Sequence, residues 1–461
     1  MEKRPGFYRQ MLALAGPIAL QNMLASSAHL VDTAMVTRLG NVAVSAVGVA
    51  GRWSLFMNII LFGFCSGSAV LISQYWGAKE EEKIRRTYGL ALIFSLAVAV
   101  LYTAAGLMFP REMMRLFTSE QAVIEAGAQY LRIAVLNTLP LTYAMVTCGA
   151  RRATEDVHVP LIVSGVSVVV NTFFNYCLIY GHLGMPELGL RGAAVATVFS
   201  GISQMILTAL YGGAQKHFTF APLRQLLSFD RRFIMTYLKI AAPVLLNETL
   251  WVIGFNLYSV IYAHQGSENY AGYTVYDSVE QLSFVFFVGV CNACAIMTGK
   301  AVGEGGRDRA FQMARRYLRI MPLLAVVVGG LLIAIRWPVI RLLDVETEYA
   351  AKMAADILLF YGIWAPIRQI PYLCLVGIFR AGGDTRIGLL LDVGFTLFWG
   401  VPVTAALAYW LKVPFLWLVC GTFIAEDCAK TPFCLWYFYS KRWIRQLTGA
   451  AGVPEEILPD T

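Results

Sequence analysis

The sequence predicts an all-α integral membrane protein with twelve transmembrane helices in two parallel six-helix repeats, an N-lobe and a C-lobe, and with both termini in the cytoplasm. Composition, the number of apolar segments and an internal repeat support this prediction. Of the 461 residues, 58% are hydrophobic and 14% are charged, whereas soluble domains average roughly 45–50% apolar and about 25% charged residues. We therefore expect the function to lie within the membrane or in short loops.

Twelve apolar segments are long enough to cross a hydrocarbon core about 30 Å thick, which takes roughly 20 helical residues. Loops with charged residues, proline or glycine separate them. The segments lie at 11–37, 44–76, 88–109, 123–149, 160–181 and 192–213 in the first half and at 235–263, 271–299, 320–338, 354–379, 387–411 and 414–438 in the second. Because the count is even, both termini lie on one side of the membrane.

The positive charges predict which side that is. Loops on the side of the N-terminus hold 25 Lys and Arg residues, and loops on the other side hold eight. Because Lys and Arg accumulate in short cytoplasmic loops, the termini are expected in the cytoplasm and the protein in the cell (inner) membrane. The net charge of +8 thus encodes orientation, and no nucleic-acid partner is expected.

The two halves of the chain repeat each other. Identical residues pair at a separation of 226 across sixty positions: Pro17 with Pro243, Gly40 with Gly266, Gly63 with Gly289 and Gly77 with Gly303. Because each copy has an even number of spans, six, both copies enter the membrane from the same side. This arrangement is typical of secondary transporters whose halves rock about a cavity. We predict an N-lobe at 1–214, a cytoplasmic linker at 215–234, a C-lobe at 235–440 and a cytoplasmic tail at 441–461.

One carboxylate lies inside the first apolar segment. Asp32 has apolar neighbours on both sides within QNMLASSAHLVDTAMV. A charged residue inside a span costs on the order of 2.5–3.5 kcal/mol, so it indicates a functional site. A structural explanation stays open, because a helix rise of about 1.5 Å per residue from Met11 carries Asp32 towards the outer interface, where a carboxylate reaches water.

Polar residues of the fifth and sixth segments can join Asp32. Asn171 and Asn175 are four residues apart, so their amides share one helix face, and Thr197 adds a hydroxyl. These oxygens can coordinate a hard cation or hydrogen-bond a protonated acid. The sequence does not choose between the two, and an Asn within a span also often serves only to hold helices together.

In order and spacing, the motifs of this chain resemble those of the multidrug and toxic compound extrusion (MATE) transporters. The resemblance runs from about residue 8 to 440 and rests on Pro17 fifteen residues before Asp32, on RLG at Arg38–Gly40, on GAKEEE, on NTFFNYCLIYG and on RAGGDT. It implies a multidrug efflux secondary transporter, not an enzyme, that exports small amphipathic organic cations by alternating access against inward sodium or proton flow. No cofactor is expected besides the coupling ion, and the protein is expected to function as a monomer in the lipid bilayer.

The resemblance also implies site residues. The family's N-lobe coupling site falls on Asp32, Asn171, Asn175 and Thr197, which makes these four a candidate sodium site. Asn175 departs from the members that have a second Asp at this position and resembles the members that have Asn, so one carboxylate fewer is available to the ion.

The second half repeats the scaffold without repeating this chemistry, because the offset of 226 maps Asp32 onto Tyr258. Another subset of the family has a C-lobe ion site, but Glu248 lies about one turn too early after Pro243 to match it. Glu248 is therefore predicted to be a counter-charge for a cationic substrate. The candidate substrate-cavity residues are Gln21, Asn247, Glu248 and Glu280. Arg368, Asp392, Glu426, Asp427 and Lys430 also lie within apolar segments or close to them, and no role is assigned to them.

Two other functions remain as alternatives. A flippase for a lipid-linked precursor would use a related fold, but it would need a more cationic cavity than the acidic candidates above provide. An intramembrane aspartyl protease would pair Asp277, in the Tyr276-Asp277 motif, with Asp384, but the second motif has Ala381 in place of the required Gly. The sequence contains no H-E-x-x-H or G-x-S-x-G motif.

Overall fold

The computed structural model describes residues 6–448, except 344 and 346. Throughout this part of the chain the regular structure is helical, and the only β-type pairing is an isolated bridge between Gly383 and Ile444. The prediction of an all-α protein is therefore confirmed.

Twelve long helices in the described residues follow the order of the twelve predicted segments. They are α1 Phe7–Thr37, α2 Asn41–Gly77, α3 Glu81–Met108, α4 Gln121–Ala153, α5 His158–Tyr180, α6 Leu190–Ala214, α7 Arg231–Ala263, α8 Ser267–Gly303, α9 Arg307–Leu342, α10 Glu348–Phe379, α11 Thr385–Trp410 and α12 Phe415–Tyr439. The first eleven are long and apolar enough to cross a membrane. The helix α12 has 25 residues but carries Glu426, Asp427 and Lys430, and these charges set it apart from the others.

Several helices extend beyond the predicted apolar segments. The clearest case is α9, which begins at Arg307, thirteen residues before the predicted start at 320. A helix satisfies its own backbone hydrogen bonds, so it need not end where the apolar residues end. Apolarity therefore predicts the membrane-crossing part of a helix better than it predicts the helix ends.

Two helices of the second half depart from regular α geometry. Pro366 and Pro371 lie inside α10, which continues as a wider π-helical stretch over Leu373–Phe379. The helix α11 contains two such stretches, at Thr396–Gly400 and Ala406–Trp410. Proline lacks an N–H and its ring crowds the preceding turn, so a wider turn after Pro371 accommodates the mismatch in α10.

The described chain divides into two compact units. The first unit comprises Leu20–Ile72 and Glu80–Leu238, hence most of α1–α6. The second unit comprises the described residues of Met1–Ala19, Ser73–Lys79 and Lys239–Thr461, hence most of α7–α12. The division into N-lobe, linker, C-lobe and tail stays a prediction, and residues 449–461 of that tail lie outside the described residues.

Within the second unit, the end of α2 and the end of α8 pack closely through two glycines. A Cβ added at Gly77 would lie 2.1 Å from the carbonyl oxygen of Lys300, and a Cβ added at Gly303 would lie 1.8 Å from that of Gln74. Both collisions involve backbone atoms, so rotating a side chain cannot relieve them. The approach of the two helices therefore requires glycine at both positions.

Candidate functional site

The first unit brings Asp32 of α1 together with two amides of α5. Asn175 donates a hydrogen bond from Nδ2 to Oδ1 of Asp32 and another, of 3.2 Å, to Oδ1 of Asn171. The four-residue spacing places both amides on one face of α5. Asn171 and Asn175 are buried and Asp32 is partly buried. The polar residues that the sequence singled out in α1 and α5 thus form one contiguous group.

Tyr130 of α4 extends this group to Thr197 of α6. The Tyr130 hydroxyl lies close to the Thr197 side chain and within electrostatic range of Asp32. Thr197 also donates from Oγ1 to the carbonyl oxygen of Ala193 at 3.0 Å. Tyr130 was not predicted, because its only signal is a tyrosine in an apolar helix, and the chain has 22 tyrosines.

The composition of this group fits a single positive charge. Oδ1 of Asn175 is buried and accepts no hydrogen bond from the described residues. It can therefore coordinate a cation or accept a hydrogen bond from a protonated group. Among the side chains that the structure describes, no three His, Cys, Asp or Glu residues form a metal-binding group. One carboxylate with amide and hydroxyl oxygens suits a monovalent hard cation or a proton better than a transition metal.

Glu248, predicted to be a counter-charge for a cationic substrate, has a cationic partner within the protein. Nη1 of Arg380 lies 2.6 Å from Oε1 of Glu248, and the two side chains are 5% and 16% exposed, respectively. This close pairing neutralises much of the carboxylate's attraction for a third charge. Glu248 can therefore attract a cationic substrate strongly only if Arg380 moves away from it.

The other candidate substrate-cavity residues also form separate contacts. Gln21 belongs to the first unit, whereas Asn247 and Glu280 belong to the second, and each engages a different side chain. Gln21 donates to Ser164 at 2.9 Å and accepts from Arg152 at 3.1 Å, Asn247 donates to Asp392 at 3.1 Å, and Glu280 accepts from Tyr361 at 3.1 Å. These contacts do not by themselves define a substrate cavity.

The second unit contains a buried group to which the sequence assigned no role. Nζ of Lys430 lies 3.0 Å from Oδ1 of Asp392, 2.8 Å from Oε1 of Glu426 and 3.3 Å from Oγ1 of Thr396. All four side chains are buried, and we call them the lysine cluster. The four-residue spacing of Glu426 and Lys430 on α12 was a signal for this pair, whereas Asp392 and Thr396 join it only through the packing of α11.

A second ion pair lies on the aromatic side of α12. Nη1 of Arg368 is 3.5 Å from Oδ2 of Asp427, and its guanidinium group lies 4.4 Å from the centre of the Phe423 ring. Trp364 also donates to Asp427, at 2.9 Å. Cation–π contact and hydrogen bonding therefore support this ion pair in an apolar environment.

A small cavity adjoins both charged groups. Its volume is about 40 Å³, and its lining is Trp251, Phe255, Tyr258, Tyr262, Tyr273, Arg368, Thr396, Thr422, Phe423 and Glu426. A water molecule needs roughly 10–15 Å³ by this measure, whereas pockets for drug-sized ligands measure roughly 300–1,000 Å³. The cavity therefore suits a few water molecules rather than an organic substrate.

Comparison with known proteins now identifies the family. The MatE family profile matches the chain twice, at residues 17–177 and 243–406. The chain belongs to the MATE family. The probable multidrug resistance protein YoeA of Bacillus subtilis is 29% identical over 435 residues, which cover 90% of each chain. The probable multidrug resistance protein NorM of Thermotoga maritima is 24% identical over 450 residues, covering 96% of this chain and 94% of that protein.

A solved structure shows the same fold. The crystal structure of MATE in the bent conformation gives a TM-score of 0.85 at 17% identity, over 95% of this chain and 97% of that one. The MATE proteins are a family of multidrug transporters, which agrees with the many apolar helices of this chain. The expected membership in this family is thus confirmed.

The geometry of the second unit also excludes the aspartyl protease pair. A Cβ on Gly299 of α8 would lie 3.7 Å from the carbonyl oxygen of Ala381. Asp277 lies 22 residues before Gly299 in the same helix, a distance of roughly 33 Å. Asp384 is three residues from Ala381, hence at most about 11 Å away. The Cα atoms of Asp277 and Asp384 are therefore roughly 14 Å apart or more, and their carboxylates stay farther apart than one catalytic water can bridge.

Proposed function

We propose that this MATE protein is a secondary antiporter of the cell (inner) membrane that exports small amphipathic organic cations by alternating access, in exchange for inward-moving sodium ions or protons. The observation that carries the proposal is the group of Asp32, Asn171 and Asn175, with the buried, unpartnered Oδ1 of Asn175. The multidrug resistance names of its relatives support a broad range of organic substrates.

Asp32 gives the coupling a physical basis. An ionised carboxylate within a span costs on the order of 2.5–3.5 kcal/mol. A proton or a sodium ion at Asp32 removes much of that cost, so the ion-bound and ion-free proteins differ in the free energies of their conformations. A ligand can drive a conformational change only through such a difference. Tyr130 supplies a hydroxyl within electrostatic range of the same charge.

Recurring backbone conformations support the arrangement as two parallel repeats. Residues with positive φ recur at separations of 226 or 228: Gly40 with Gly266, Lys79 with Gly305, Glu155 with Gly383 and Gly184 with Lys412. A side-chain contact recurs in the same way, because Gln21 bonds Ser164 as Asn247 bonds Asp392. Two matches to one family profile give independent support.

The charge distribution and the content of one chain support the remaining features of the proposal. The excess of Lys and Arg in loops on the N-terminal side, 25 against eight, supports cytoplasmic termini. The coupling group lies entirely within the first unit of a single chain. We therefore propose the monomer as the transporting unit.

The decisive experiment measures transport in liposomes that contain the purified protein. A sodium gradient and a pH gradient are imposed separately, and the movement of a fluorescent organic cation is followed. Asp32→Asn is expected to reduce gradient-driven transport by about tenfold or more, which corresponds to a loss of at least about 1.4 kcal/mol of coupling. Asp277→Asn is the matched control, because Asp277 also lies in an apolar helix and accepts a hydrogen bond from Gln281 there. This variant should stay within about twofold of the parent activity.

Each outcome has a definite meaning. The gradient that alone drives export identifies the coupling ion. Full activity of Asp32→Asn, or export that depends on neither gradient, would overturn the proposal. Movement of lipids with anionic headgroups in preference to organic cations would favour a lipid-precursor flippase instead.

A further inference from the structure

The lysine cluster has the oxygen ligands of a cation site with an ammonium group at its centre. We propose that the Lys430 ammonium takes the place of a bound monovalent cation in the second unit, so that the cluster keeps two buried carboxylates charged without taking up an ion from solution. The proposal does not rest on the transport activity proposed above.

The positions of the oxygens around Nζ support this inference. Two carboxylate oxygens, of Asp392 and Glu426, and the hydroxyl of Thr396 lie between 2.8 and 3.3 Å from the nitrogen. Carboxylate and hydroxyl oxygens are the ligands that hard cations prefer. The ammonium group thus occupies the centre of a donor set that would also suit a sodium or potassium ion.

The Asn247 amide is an independent indication. Its side chain is 3% exposed, its Nδ2 donates to Oδ2 of Asp392 at 3.1 Å, and its Oδ1 accepts no hydrogen bond from the described residues. A buried acceptor without a donor is costly in a purely structural ion pair. Because the same amide holds Asp392, the surroundings of the cluster include a buried oxygen that none of the described donors uses.

The charge count explains why the amine is needed. Asp392 and Glu426 bring two negative charges into a buried environment. Lys430 is the cation in direct contact with both, while Arg380 lies within electrostatic range of Asp392 and Arg368 within that of Glu426. Removing one partner of a buried ion pair is strongly destabilising, because the remaining charge is uncompensated. Without the amine, the two carboxylates would lack a contacting positive charge, and a proton or a cation from solution would have to take its place. Because Lys430 is covalently attached, its charge is present at any ion concentration.

A purely structural ion pair and a built-in cation predict different results for Lys430→Met. The midpoint of thermal unfolding of the purified protein is measured in sodium or potassium chloride from about 1 to 200 mM, at constant ionic strength with N-methyl-D-glucamine chloride. All variants carry Asp32→Asn, so that the first unit's candidate ion site does not contribute. We expect no cation dependence with Lys430 in place, and a rise of several degrees with sodium, potassium or methylammonium in Lys430→Met.

Lys441→Met is the matched control, because Lys441 pairs with Asp308 at 3.1 Å on an exposed surface. It should gain no cation dependence. A folded Lys430→Met protein whose midpoint ignores these cations would overturn the proposal. If Lys430→Met folds only in high salt of a small cation, that result supports it. The proposal fails if Lys430→Met does not fold in any of these salts while the neutralised Lys430→Met/Asp392→Asn/Glu426→Gln protein folds. In that case free cations cannot replace the amine.

These readings do not depend on transport. The unfolding midpoints test the lysine cluster in an Asp32→Asn background, whereas the liposome assay tests Asp32 in a protein with Lys430 intact. A failure of either inference is therefore distinguishable from a failure of the other.

Discussion

Replacing Asn175 by Asp would add a second carboxylate to the candidate coupling group. In the present structure the Asn175 amide donates to Asp32, so the variant replaces an attractive contact by two facing carboxylates. Two unit charges about 4 Å apart interact by about 4 kcal/mol at an effective dielectric constant of about 20. A cation or proton bound between them gains up to that amount, which corresponds to roughly a thousandfold in affinity. The variant should therefore bind its neutralising ion much more tightly.

The assay is thermal unfolding of the purified protein at several sodium concentrations and pH values. Asn175→Asp should unfold at a lower temperature than the parent protein at high pH and low sodium, and should recover as sodium is added or as the pH falls. Asn256→Asp is the control, because Asn256 is exposed on α7 and donates only within its own helix. Equal sodium and pH dependence in Asn175→Asp and the parent protein would refute the reasoning.

Three further predictions concern stability. Gly303→Ala places a Cβ 1.8 Å from a backbone oxygen of α2 and should cost about 1–3 kcal/mol, measured by thermal unfolding, whereas Gly330→Ala, with open space around it, should be neutral. Arg380→Met leaves the Glu248 carboxylate, which is 16% exposed, without its partner and should cost up to about 3–5 kcal/mol. The double variant with Glu248→Gln should recover most of this loss, and no recovery would contradict the pairing. Burial lowers the pKa of His217, between α6 and α7, to about 4. The contribution of neutral His217 to stability is therefore complete above about pH 6.5, the pKa of histidine in an unfolded chain, and it disappears as the pH falls towards 4. In His217→Gln the midpoint of thermal unfolding should depend less on pH between these two values.

The sequence predicted the long helices well because a membrane span is defined by local composition. The ends of α2, α6 and α7 lie within a few residues of the predicted segment ends. The prediction was poorer for α9, where charged residues continue the helix. The helix α12 was predicted as a span like the others, and the structure explains its charges, because Glu426 and Lys430 pair inside the protein.

The candidate site was predictable only where its residues are close in sequence. Asn171 and Asn175 were recognised as one face from their spacing alone, and Asp32 from its unfavourable burial. Tyr130 and the lysine cluster were not recognised, because their contacts join helices far apart in the chain. No local pattern predicts that Tyr258 donates to Glu426, 168 residues later, at 3.2 Å.

The comparison of equivalent positions suggests how two similar halves acquire different tasks. Gln21 and Ser164 form a neutral contact in the first unit, whereas their counterparts Asn247 and Asp392 form a charged one in the second. A buried charge at that contact must be balanced within its own unit, and Lys430 does so at 3.0 Å from Asp392. The first unit has its own carboxylate, Asp32, elsewhere, among amides and hydroxyls, and we propose that this carboxylate takes up and releases a proton or an ion. If charge in one half is balanced permanently by an amine, only the other half can exchange an ion during a transport cycle.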